Sequence, residues 1–338
     1  MKIIIVGLGN AGKHYLNLLK FKKEIELYVV DKKKLPKNKS YSQITFNQIK
    51  KNRMFFDSAI ISSPSGSHFK HAYFFLMRNS NILIEKPFVL RLSHAQKLIK
   101  ITKKTKKKCW TTFQNRHNLA ILKLRKEIKQ KKIGKINLVD CMMIWHRDEK
   151  YYKVDWRGKY SSDGGVLNNQ AIHLLDILIY IFGEIKYFDV FASFNKNKLQ
   201  AEDLIMINFL HKNGVYSSLK ATTRADQDYR SAIDIIGSKG RLIVKGISLN
   251  TFNRFNKDLL VKEKKHSEEF KLGLGPISGM GYGHQKILNE FLSSRKKSSQ
   301  NLEIEKNYYL LKVIHSIYNN ITKRKKFNSI KNVKSVLG

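Results

Sequence analysis

Lys2-Ile3-Ile4-Ile5-Val6-Gly7-Leu8-Gly9-Asn10-Ala11-Gly12 stands at the head of the sequence, and Ile25 to Val30, closed by Asp31, follows a helix-length later. The first run is β-branched and bounded by glycine, which predicts a short buried parallel strand. Between the two runs, Tyr15, Leu16, Leu18 and Leu19 supply the apolar side of a helix. Strand, glycine turn, helix, strand and acid, in that order, is the setting in which G-x-G-x-x-G carries meaning. Gly7 admits the tight turn. Gly9 lets backbone N–H groups approach a pyrophosphate at the positive end of a helix, and Gly12 permits close helix–strand packing. Asp31 suits the ribose diol of an adenosine, which predicts NAD. The flanking Lys32, Lys33 and Lys34 keep NADP as the alternative, because a cation there can hold a 2′-phosphate. The bland alternative is a tight strand-to-helix turn with no ligand.

Working outward, Ala59 to Pro64 reads as another strand ending in a loop, and Ser67 as the cap of a helix over His68 to Arg78. Asn81 to Ile84 is a strand that stops at Glu85-Lys86-Pro87. Loops after parallel strands face the ligand crevice in such folds. Lys86 is therefore either a functional cation beside a cofactor or a surface lysine paired with Glu85. Pro87 admits a cis bond with Lys86.

The second half predicts a helix over Leu119 to Gln130 and a strand over Lys135 to Trp145. Trp145-His146-Arg147-Asp148, Tyr151-Tyr152 and Asp155-Trp156-Arg157-Gly158 follow. This stretch is either a cover over the sheet or a substrate wall, since arginine and aromatics suit phosphate and sugar recognition. Gly164-Gly165 then opens a helix in which Asn169 and His173 are i and i+4 and share a face, with Asp176 one turn on. A helical histidine is usually a satisfied core residue. Here polar residues repeat on one face of an otherwise apolar helix, which points His173 toward a site. Leu204 to Leu210, Val215 to Thr223 and Ser231 to Ile236 read as strands, with turns at Asn213-Gly214 and Gly237 to Gly240. A helix is expected from His284 to Leu292, after a glycine-rich stretch, Gly273 to Gly283, that is the candidate mobile segment.

The fold class is thus α/β: an N-terminal Rossmann domain with a doubly wound parallel sheet over 1–118, then a C-terminal α+β domain with a large mixed, mostly antiparallel sheet over 119–338. The 338 residues suffice for two ordinary domains, and 42% hydrophobic content is that of a chain that buries cores. Cys109 and Cys141 are too few for a disulfide framework or a cysteine-based zinc site, so a reducing, cytoplasmic setting and no metal are expected. No leader with a cleavage site precedes the first strand. The longest apolar run, Ile177 to Phe182, is far short of the roughly 20 residues a bilayer needs. A net charge of +39 invites a nucleic-acid or membrane reading. The lysines, however, are scattered over both halves. The densest runs (Lys32 to Lys34, Lys103 to Lys108, Lys262 to Lys265 and Lys323 to Lys326) are not interleaved with aromatic stacking residues. No specific nucleic acid and no membrane partner is expected, although the field would steer an anionic substrate.

Several of these motifs resemble those of the glucose–fructose oxidoreductase, inositol dehydrogenase and rhizopine-catabolism family (Gfo/Idh/MocA). They are Gly7-Leu8-Gly9-Asn10-Ala11-Gly12, Ser62-Ser63-Pro64 followed by His68, Glu85-Lys86-Pro87, Gln114-Asn115-Arg116 and Ile133-Gly134-Lys135-Ile136. The resemblance covers essentially the whole chain. It implies an NAD(P)-dependent oxidoreductase acting on a sugar hydroxyl, with Lys86 in a catalytic and substrate-orienting role. Cofactor contacts are expected from Gly7, Gly9, Asn10, Ala11, Gly12, Asp31, Ser62, Ser63, Pro64, His68, Glu85, Lys86 and Gln114.

The Gly164-Gly165 block resembles the family's Gly-Gly…Asp-x-x-x-His motif, with Asn169 where many members have Asp. An amide can orient a ring without supplying charge. Lys86, His173 and Asn169 are the expected catalytic set, His173 accepting the hydroxyl proton and Lys86 stabilising the developing alkoxide. The Asn169-Gln170 form, with upstream Tyr151-Tyr152 and Trp156-Arg157-Gly158, resembles the subgroup that acts on nucleotide sugars. That implies oxidation at C3 of UDP-N-acetylglucosamine or its uronate, for surface-glycan (lipopolysaccharide) synthesis. Arg116, Tyr152, Trp156, Arg157, Asn169, Gln170 and His173 are the expected substrate contacts. The rivals are a dehydrogenase or reductase of a free polyol or inositol, and a non-catalytic cofactor-binding homologue. The family places sheet faces of its second domain in subunit contacts, so a homodimer or homotetramer is expected.

Overall fold

The computed structural model describes residues 1–36, 39–194, 200–256, 268–271, 283–293 and 296–323. Residues 273–282 of the glycine-rich stretch, Lys262, Lys264, Lys265, Lys325 and Lys326 lie outside these.

The first half alternates strand and helix: β1 (Lys2–Val6), α1 (Asn10–Leu19), β2 (Glu26–Val30), β3 (Ser42–Gln43), α2 (Phe46–Lys51), β4 (Ser58–Ile61), α3 (His68–Leu76), β5 (Asn81–Ile84), α4 (Leu92–Thr105) and β6 (Cys109–Thr111). The six strands lie in the order β3-β2-β1-β4-β5-β6, and every pairing is parallel. This is the doubly wound Rossmann order, with its crevice where the order reverses between β1 and β4. Ile3, Ile4 and Ile5 are wholly buried because helices cover both faces. Each contributes about 1.5–3 kcal/mol by burial. Ser67 does not cap α3 with its side chain. A 3₁₀ turn over Ser65–Ser67 runs straight into the helix, and Ser67 is already helical rather than in the extended conformation a capping side chain requires.

The second half comprises α5 (Leu119–Lys129), β7 (Ile136–Ile144), α6 (Glu149–Tyr152), α7 (Ile172–Phe182), β8 (Ile185–Ser193), β9 (Leu204–His211), β10 (Tyr216–Thr222), β11 (Arg230–Gly237), β12 (Gly240–Lys245), β13 (Thr251–Asn256), β14 (Glu268–Lys271), α8 (Gly283–Leu292) and α9 (Ile304–Lys323). The strands form an eight-stranded sheet in the order β14-β13-β12-β11-β7-β10-β9-β8. Only β7 and β10 run parallel. Alternating burial along β9, β10 and β11 gives the sheet one core face and one outer face.

The helix expected to open at Gly164-Gly165 does not begin as an α-helix. One π turn, Leu167–Ala171, precedes α7. Helix α9 reaches back over the first sheet. Its Ile304 and Leu311 join the core around β4 and β5, while Ile314 and Ile317 join the second core. Lys103 pairs with Glu305 at 2.6 Å, and Glu303 bridges to Trp110 of β6. The last described helix thus fastens the two halves together. Among the described residues no helix is long and apolar enough to cross a membrane.

Candidate active site

The glycine turn after β1 is built for close approach. Gly7 has φ +93°, and a Cβ there would stand 2.7 Å from the Ser63 backbone nitrogen. A Cβ on Gly12 would fall 2.0 Å from the Gly7 oxygen. Gly9, by contrast, opens on empty space. It caps α1 with no side-chain hydrogen bond, so the N–H groups of the first helical turn are free for an anion. Asn10 and Ala11 lie in that turn. Asp31 accepts from Leu8 N–H at 2.6 Å and Lys33 N–H at 2.8 Å, which fixes its carboxylate beside the turn. This cradle, open only at Gly9, fits a dinucleotide pyrophosphate, with Asp31 set to meet the ribose.

The loops after β4 and β5 form the next layer. Ser62 Oγ donates to the Gly7 oxygen at 2.7 Å, and Ser63 Oγ bonds His71 Nδ1 at 2.9 Å. Pro64 starts the 3₁₀ turn. His68 is buried between two carbonyls, Pro87 O at 2.9 Å from Nδ1 and Ser63 O at 2.7 Å from Nε2. Both ring nitrogens face main-chain oxygens, one from each loop, so His68 ties the loop after β4 to the loop after β5. Glu85 is similarly committed: Tyr15 donates to it at 3.0 Å, Lys86 N–H at 3.3 Å, and His284 Nε2 lies 3.7 Å away. It does not pair with the Lys86 ammonium, and the paired-surface alternative for Lys86 falls with that. The Lys86–Pro87 bond is cis. Gln114 opens the 3₁₀ turn between β6 and α5, where its main-chain oxygen packs against Gly283.

Lys86 turns its side chain toward the π turn. Its Nζ donates to the Asn169 main-chain oxygen at 2.7 Å and faces Asn169 Oδ1 at 3.4 Å. π turns disrupt the regular helical ladder and recur at functional sites. Burial lowers the Lys86 pKa, the carboxylates of Glu85 and Asp163 oppose that, and Arg157 adds to it. His173 follows on the same wall. Burial first, then the charges of Lys86 and His284, hold its imidazole well below the ordinary range, so the ring is neutral at pH 7. Its Nδ1 is buried with no hydrogen-bond partner among the described residues.

The stretch between β7 and the π turn closes over this wall. Asn169 Nδ2 donates to both oxygens of Asp163, at 2.8 and 3.0 Å, and lies 3.2 Å from Tyr151 OH. Gln170 Nε2 donates to the same hydroxyl at 3.1 Å. Arg157 stacks on the Tyr151 ring with 3.6 Å between its carbon and the centroid, and leans on Trp156 at 4.9 Å. Its Nε and Nη1 are buried with no acceptor among the described residues.

Of the residues singled out in the sequence, Lys86, Asn169, Gln170, His173, Trp156 and Arg157 come together. Two do not join them. Tyr152 bonds Thr223 Oγ1 at 2.8 Å. Adjacent residues on one helical turn point about 100° apart, so it is Tyr151 that meets the site. Arg116 is buried as a brace: Nε donates to Asp176 at 3.0 Å, Nη1 to the carbonyls of Gln300 and Asn301 at 3.0 Å, and Nη2 to Asn307 at 2.6 Å. It keeps no hydrogen-bonding edge for a substrate, and Asp176 serves Arg116 rather than His173. Asp163 and Tyr151 are the residues that sequence reasoning missed. Position beside the Gly164-Gly165 pair was the only local signal for Asp163.

Residues 1–113 match the oxidoreductase family with an NAD-binding Rossmann fold, and residues 121–243 match the GFO/IDH/MocA C-terminal domain. The chain belongs to the Gfo/Idh/MocA family. The first half is thus an NAD-binding Rossmann domain and the protein an oxidoreductase. Among Gfo/Idh/MocA relatives, the myo-inositol 2-dehydrogenase of Thermotoga maritima is 25% identical over 267 residues, covering 74% of this chain and 77% of that one. The inositol 2-dehydrogenase of Rhizobium meliloti is 25% identical over 190 residues, 54% of this chain and 56% of that one. Among solved structures, the WlbA dehydrogenase of Bordetella pertussis, in complex with NADH and UDP-GlcNAcA, shares the fold with a TM-score of 0.78 at 20% identity, covering 96% of this chain and 97% of that one.

Proposed function

We propose that the protein oxidises a secondary hydroxyl of a sugar, with C3 of a UDP-N-acetylhexosamine or its uronate as the favoured substrate position. The observation that carries this reading is the meeting of Lys86, from the cofactor half, with the Asn169–His173 wall of the second half. Bound NAD supplies the hydride acceptor. The substrate hydroxyl sits between Lys86 and His173. His173, held neutral, takes the hydroxyl proton on its ring, and the Lys86 ammonium donates to the oxygen as negative charge develops. Lys86 has three N–H groups, of which two face Asn169. The third is available to the substrate oxygen.

The anionic class of substrate is favoured by Arg157, whose unsatisfied Nε and Nη1 suit a carboxylate or phosphate. A free inositol or other polyol is the second reading, favoured by the two inositol dehydrogenases among the relatives. The exposed apolar residues Leu138, Met206 and Ile236 on the outer face of the second sheet suit a second copy of the chain, which light scattering would reveal as a dimer or tetramer. Two buried cysteines kept as free thiols suit a cytoplasmic setting. The test is nicotinamide absorbance on mixing protein and NAD with UDP-N-acetylglucosamine, its uronate, myo-inositol and simple sugars. Reduction with a nucleotide sugar alone is expected. Reduction with myo-inositol alone would replace the first reading with the second.

A further inference from the structure

We infer that Asp163 is a positioning residue that acts on Lys86 through the Asn169 carboxamide. An asparagine side chain has one accepting oxygen and one donating nitrogen, and its orientation follows its partners. The Asp163 carboxylate, only 3% exposed, accepts from Asn169 Nδ2 with both oxygens, at 2.8 and 3.0 Å. The nitrogen end is therefore fixed, and Oδ1 must point the other way. There it meets the Lys86 ammonium, which can only donate. The result is a polarised line of ammonium, amide and carboxylate running from the reaction centre into the protein. Such linked hydrogen bonds strengthen one another in a low dielectric.

Asn169 itself carries no charge. Asp163 supplies the negative charge one side chain further back. Gly158 N–H at 3.3 Å steadies the carboxylate, and the Asp163 main-chain oxygen receives Asn168 Nδ2 at 2.8 Å. The charged and titratable groups around the line are Glu85 in the loop that carries Lys86, His68 from α3, Arg157 and Tyr151 from the covering stretch, and His173 from α7. The Asp163 charge is among those that oppose the lowering of the Lys86 pKa by burial.

The inference deepens the reading above, which gives Lys86 its substrate contact. The experiment uses the full chain as Asp163→Asn, Asn169→Asp and the exchanged pair D163N/N169D. Lys86 is titrated by competitive acetic anhydride labelling read by mass spectrometry, and kcat and KM are followed against pH. In D163N the Lys86 titration is expected to move to lower pH, and the alkaline limb of kcat/KM to move with it. kcat should fall about 10- to 100-fold, with NAD affinity unchanged. The exchanged pair, which returns a carboxylate beside the ammonium, should recover much of both. Asp163→Ser serves in its place if D163N does not fold. An unchanged Lys86 titration in a folded Asp163 variant overturns the inference, even if Lys86→Ala is inactive. A shifted titration alongside a fully active Lys86→Ala would keep the inference and sink the catalytic reading instead.

Discussion

Lys86 and Asn169 lie 83 residues apart in the chain and meet at 2.7 Å, ammonium to main-chain oxygen, across the seam between the nucleotide sheet and the second domain. The contact joins the loop that ends β5 to the π turn that begins α7. The cation is thereby held past the C-terminal end of the parallel sheet, one strand from the place where its order reverses. The partner oxygen belongs to the backbone, so its position is set by the fold rather than by a rotamer.

Arg116 provides a contrast, because its role is in the fold. Arg116→Met leaves Asp176 buried and unpaired, and breaking a buried pair from one side costs about 3–5 kcal/mol. Chemical denaturation should register that loss, while kcat for the folded fraction stays within a few-fold of the parent. A kcat loss of about a hundredfold at undiminished stability would return Arg116 to the substrate.

The two glycines of the cradle separate packing from binding. Gly12→Ala drives a methyl into the Gly7 oxygen at 2.0 Å, and overpacking against backbone costs about 3 kcal/mol or more. Gly9→Ala meets nothing, so stability should hold within about 0.5 kcal/mol, while NAD affinity falls about tenfold as the methyl enters the phosphate space. Thermal melts and NADH fluorescence titrations on the pair check both halves.

Acid should unfold the protein through its buried histidines. Burial first, with Glu290 opposing, lowers His117 from 6.5 to about 4, and His117 is 7% exposed. The folded chain keeps this ring neutral while the unfolded chain protonates it. Its contribution is therefore complete above about pH 6.5 and is lost as pH falls toward 4, on the order of 3 kcal/mol for His117. Denaturation midpoints taken from pH 7 to pH 4 should fall, and His117→Gln should flatten that fall.

Where the chain's own local chemistry decides the structure, the sequence was legible. Gly7, Gly9 and Gly12 specify their turn within a few residues, and the β1, β5 and α5 boundaries follow from β-branched runs and helical periodicity. The parts that were not legible depend on partners far away in the chain. Arg116 looks like a substrate anchor until Asp176, 60 residues on, and Asn307, 191 residues on, surround it. Tyr151 and Tyr152 are indistinguishable in sequence; a single short helical turn decides which faces Asn169. The π turn has no compositional mark, and Asp163 gains its meaning only when the turn brings Asn169 onto it.

The most direct measurement is the turnover and NADH affinity of Lys86→Ala with whichever sugar reduces the cofactor in the parent protein. Loss of a charge-stabilising donor at the reacting oxygen should lower kcat by about 10²–10³-fold, with NADH binding within about threefold of the parent. Turnover within a few-fold of the parent would contradict the central claim that Lys86 acts at the substrate hydroxyl.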